Sequence, residues 1–66
     1  MINEQKRQVF EEEAGKRMAV LQADNPDCSF SVVVYDSGIR EGEVVVQKEK
    51  PGGEITDYVI GSANEL

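Results

Sequence analysis

Apolar residues return every three or four positions in the first third of the chain and every second position thereafter. From Asn3 to about Ala23, Phe10, Ala14, Met18 and Leu21 fall within about one quadrant of a helix, with Val9 and Val20 flanking them on one side. Asn3 stands where an N-cap is wanted, and Glu4 suits the positive end of the helix dipole. Asp24-Asn25-Pro26-Asp27 closes the element, because the residue before proline is driven out of the α region and Asn and Asp favour turns. The predicted helix covers about 3–23.

Past the proline the period becomes two. Cys28, Phe30, Val32 and Val34 alternate with Ser29, Ser31, Val33 and Tyr35, and β-branched residues dominate, which predicts a strand over about 28–36. A glycine-bearing connection, Asp36 to Gly42, leads to a second strand at about 43–49. Pro51-Gly52-Gly53 forms a turn before a third strand at about 54–61, and residues 62–66 read as a tail. The result is one α+β domain spanning residues 1–66, a helix on a three-stranded antiparallel sheet in the order α-β-β-β.

Such a helix covers one sheet face and leaves the other open. If Phe30, Val32, Val34, Val44, Val46, Tyr58 and Ile60 face the helix, strict alternation sends Val33, Tyr35, Val45, Ile55 and Val59 to the open side. An apolar patch of that kind marks a surface for self-association or for a partner. A homodimer would also help a chain of 66 residues, since a domain this small buries only about 60% of its unfolded surface. Scattered valines of ordinary strand propensity are the plain alternative.

Charge adds a second surface. Thirteen acidic and seven basic residues give a net charge of −6, which repels nucleic-acid phosphates and anionic membranes and attracts basic proteins. Direct nucleic-acid binding and membrane binding are therefore not expected. Within Phe10-Glu11-Glu12-Glu13-Ala14-Gly15-Lys16-Arg17 the acids have cations one turn away, with Arg7 facing Glu11, Glu12 facing Lys16 and Glu13 facing Arg17. Most of that run reads as a solvated helix face. Asp36, Glu41 and Glu43 have only Arg40 beside them, and Glu4, Glu11 and Glu12 lean to one side of the helix, so these six carboxylates are the candidate acidic contact. Gly15, inside the helix, is either a tolerated imperfection or a point of close approach by another backbone.

Enzyme chemistry has little to stand on. The chain has no histidine, so neither a Ser-His-Asp arrangement nor a histidine base for Cys28 can be built, and Cys28 alternates with the apolar face as a buried thiol. The glycines lack the Gly-Lys-Ser/Thr of a phosphate loop, and Asp24-Asn25-Pro26-Asp27 lacks the calcium-loop pattern, reading instead as a turn with an Asx hydrogen bond. No cofactor and no metal are expected. A lone cysteine, the absence of a basic-then-apolar start and the absence of a long apolar run favour a cytoplasmic protein.

In size, acidic excess and general character, with no shared motif, the chain resembles the small phage-encoded inhibitors of bacterial defence known as anti-CRISPR proteins, some of which mimic DNA. That resemblance implies binding to a CRISPR effector subunit and blockage of target DNA. The expected function is a noncatalytic inhibitor seated on a partner's basic, nucleic-acid-binding surface. The alternative is a small oligomerising accessory or structural subunit that works through its open sheet face.

Overall fold

The computed structural model describes residues 1–65. Helix α1 (Glu4–Asp24) is followed by strands β1 (Ser29–Val34), β2 (Glu43–Glu49) and β3 (Ile55–Ser62), which form an antiparallel sheet with β2 in the centre. The α-β-β-β architecture is thus the one the periodicity predicts.

Local chemistry sets the boundaries of α1. The Asn3 side chain accepts a hydrogen bond from the Lys6 amide at 2.9 Å, satisfying one of the donors a helix start leaves free. At the far end the backbone and side-chain nitrogens of Asn25 both donate to the Leu21 carbonyl, at 2.9 and 3.0 Å. The following turn is closed by the Cys28 amide on the Asn25 carbonyl rather than by an Asx bond.

The helix packs against all three strands. Ala14, Val44 and Val46 are fully buried between the layers, and Phe10, Met18, Leu21, Phe30, Val32, Val34, Tyr58 and Ile60 pack around them. Ala14 matters because a small side chain lets the helix sit close to the valines. Val9 and Val20, beside the predicted stripe, are exposed.

Strand alternation holds through Ile60 and then breaks. A bulge lies between Val44 and Val45, so Val45 pairs with Val59 while Val44 pairs with Gly61. Gly61 thereby meets the Phe10 ring, and a Cβ there would come within 2.5 Å of Cε1.

The expected tail is structured. Ala63 is fully buried, its amide donates to the Gly42 carbonyl at 2.8 Å, and its carbonyl accepts from the Asn3 amide at 2.7 Å. Ile2 bridges to Asn64, and the Asn3 side chain donates to Glu65 at 2.7 Å. Residues 63–65 thus tie the start of the helix to the β1–β2 connection. Leu66, the last residue of the predicted tail, lies outside the described residues.

Candidate interaction surface

On the side of the sheet away from α1, Val33, Val45 and Val59 stand in one row, and Tyr35 lies opposite Glu43. Arg40 reaches from the β1–β2 connection across this face. Its Nε donates to Glu43 at 2.8 Å, and its Nη1 donates to Asp57 and to the Tyr35 hydroxyl, both at 3.2 Å. The guanidinium lies 4.3 Å from the Tyr35 ring centre, and the Tyr35 hydroxyl itself donates to Asp57 at 3.1 Å. Glu43 first and Asp57 second raise the guanidinium's pKa above its already high value.

This polar bracket corrects the expectation of a bare apolar face. On the open side Val45 lies between Glu43 and Gln47, the partners of Tyr35 and Asp57, so a bridge from Tyr35 to Asp57 passes over it. Val45 is 0% exposed, and Val33 and Tyr35 are half-buried, whereas Ile55 and Val59 remain 57% and 58% exposed. The five residues therefore do not form one patch: three belong to the bracketed half, and the exposed remainder lies on β3. Arg40→Ala is expected to lower the urea midpoint more than removal of any cation on the helix. Arg40→Lys should recover only part of the loss, because an ammonium cannot reproduce the guanidinium fork.

The six candidate carboxylates also divide. Glu4 and Glu11 share Arg7, which donates through Nε to Glu4 at 2.8 Å and lies 3.5 Å from Glu11. Glu43 is held by Arg40, and Glu41 lies 3.6 Å from the Met1 amino nitrogen. Lys16 pairs with Glu13 at 3.8 Å instead of the expected Glu12, and no Glu13–Arg17 pair forms. Asp36 and Glu12 have no cation within 4 Å among the described residues.

Because the Asn3–Ala63–Gly42 bonds join the helix start, the chain end and the β1–β2 connection, Glu4, Glu41, Glu43 and Glu65 share one end of the molecule with Asp36 nearby. Glu12 lies two turns farther along α1 and outside that group. The connection itself is held by Glu41 N–H to Gly38, Gly42 N–H to Tyr35 and Glu43 N–H to Arg40. At its tip Ile39 is completely exposed. Helical or strand periodicity says nothing about residues 36–42, so Ile39 and the Arg40 bracket escaped the sequence reading; an arginine among acids on a glycine-bounded connection was the available signal.

Cys28 departs from its predicted place. It precedes β1, is half-buried, and its Sγ lies 3.7 Å from an Asp27 carboxylate oxygen rather than within the core. Desolvation first, and Asp27 second, raise the thiol's pKa, which opposes thiolate formation. A shallow concavity of about 240 Å³ adjoins Ser29, Ser31, Gln47, Glu49 and Ile55. Among the described residues no group of acidic side chains and Cys28 has the spacing of a metal site. No helix there is long and apolar enough to cross a membrane. Gly15 is exposed, and a Cβ added to it would meet nothing within 4 Å in this chain.

No protein-family model, no curated protein and no solved structure matches the chain.

Proposed function

We infer that the protein is a noncatalytic interaction protein whose acid-rich end occupies a basic, nucleic-acid-binding surface of a partner, in the manner of an anti-CRISPR inhibitor on a CRISPR effector subunit. One observation carries this reading: a hydrogen-bonded connection presents Asp36, which has no cation within 4 Å among the described residues, and the fully exposed Ile39, beside Glu4, Glu41 and Glu65, whose ion pairs with Arg7, the Met1 amine and Lys6 are surface pairs that a partner's cations can replace. Rigid connections on a packed scaffold are common carriers of binding, because little ordering entropy is lost on contact. The carboxylates supply steering toward a positive surface, and Ile39 supplies an apolar anchor.

The test is a DNA-binding assay with purified CRISPR effector complexes, measuring target-DNA retention as the protein is added. Inhibition is expected to weaken with rising ionic strength, since exposed charges are screened over about 8 Å at physiological salt. Asp36→Lys with Glu41→Lys should reduce it at least about tenfold, and Ile39→Ser should reduce it without altering its salt dependence. Glu43 is left intact because it holds Arg40. Inhibition unchanged in the double lysine variant and in high salt rejects the reading.

The second reading, a small oligomerising subunit, draws on the exposure of Ile55 and Val59 on the open face of β3.

A further inference from the structure

The two outer strands of the sheet are unlike. β3 carries Asp57, follows directly on Glu54, and contains the bulge opposite Val44 and Val45, all features that discourage another strand from adding. β1 has none of them. From Cys28 to Tyr35 the chain has no charge, no proline and no glycine, within a protein of which 30% of residues are charged.

The ladder fixes which backbone groups of β1 remain unused. The Tyr35 amide donates to Glu43, and the Tyr35 carbonyl accepts from Gly42, so both point toward β2. Alternation then turns Val33, Ser31 and Ser29 toward β2 as well, and points the N–H and C=O of Phe30, Val32 and Val34 outward. No hydrogen bond outside the ladder reaches these three residues among the described residues.

We propose that β1 pairs antiparallel with β1 of a second copy about a twofold axis at Val32, giving one continuous six-stranded sheet. Phe30 then lies opposite the partner's Val34, and Val32 opposite its own counterpart. Each of the three residue pairs can exchange two backbone hydrogen bonds. All six of these side chains lie on the helix side, where Phe30, Val32 and Val34 are only half-buried in the monomer.

Symmetry makes a second copy a matching occupant, because antiparallel pairing about Val32 sets the outward N–H and C=O groups of Phe30, Val32 and Val34 against the same set on the partner. Two chains of net charge −6 repel each other over most of their surfaces, and from Cys28 to Tyr35 the β1 edge brings no charge to the seam, Asp27 and Asp36 lying just beyond its ends. The helices also fit. α1 packs on all three strands with its mid-helix Ala14 against Val44 and Val46 of β2, so its middle is near β2, and the two β2 strands would be three strand spacings apart, about 14 Å. Packed helices need only about 8 to 10 Å between axes.

Sedimentation and amide hydrogen exchange across a range of protein concentrations test the proposal. The expected result is a reversible dimer in which the Phe30, Val32 and Val34 amides gain protection as concentration rises, while Ser31 and Val33 are protected throughout. Ser31→Glu, at an exposed position that leaves the core untouched, should weaken the dimer at least about tenfold with an unchanged melting temperature. Ile55→Glu should leave it intact. A strict monomer, equal protection at odd and even positions of β1, or a dimer lost in Ile55→Glu and retained in Ser31→Glu would each overturn the proposal.

Discussion

Gly42→Ala is expected to destabilise the protein by about 2 kcal/mol or more, lowering the melting temperature by roughly 10 °C. Two costs coincide at this residue. Its φ of +87° lies in the left-handed region, where a Cβ collides with the following carbonyl. A Cβ would also come within 2.5 Å of the Asn64 amide nitrogen, a backbone atom that cannot rotate aside. Thermal unfolding followed by circular dichroism provides the measurement. Chemical synthesis with D-alanine at position 42 tests the two costs together: it accepts the positive φ and directs its methyl away from the L position. It should recover most of the lost stability, and equal damage by both alanine enantiomers would refute this account.

Gly61→Ala should cost about 1 to 3 kcal/mol, as overpacking does in a tight core. The contact is the Phe10 ring, three of whose atoms lie within 2.7 Å of the position a Cβ would take. An aromatic ring can shift where a backbone cannot, so this effect should be smaller than that at Gly42. Phe10→Leu removes ring volume, and the double variant should lose less stability than the two single losses combined. Strict additivity in urea denaturation would show that the ring is not what makes glycine necessary there.

These glycines also mark where sequence reasoning reached its limit. Phe10, Ala14, Met18 and Leu21 found the helix face because helical spacing is a local property, and Phe30, Val32 and Val34 found the sheet face in the same way. Strand β2 lies within the predicted bounds, while β1 is shorter than predicted and β3 ends one residue later. Gly61 escaped because a bulge shifts pairing without changing the alternation before it. The role of Arg40 depends on Asp57, two strands away, and that of Ala63 depends on Gly42 and Asn3. No periodicity encodes such pairings. Of the candidate site, the acidic character of residues 36–43 was readable; the pairing of Glu43 with Arg40, the burial of Val45 and the exposure of Ile39 required the fold.

The bond between Asn3 and Ala63 joins residues separated by nearly the whole chain. During synthesis, the helix leaves the ribosome well before the residues that fasten its start to the sheet. Its apolar stripe must wait through the synthesis of all three strands. Closing so long a loop delays the reward for forming the contact, although its entropic cost grows only slowly with length. Folding should therefore complete only after residue 63 has cleared the exit tunnel, and nascent chains stalled before that point should remain sensitive to protease throughout.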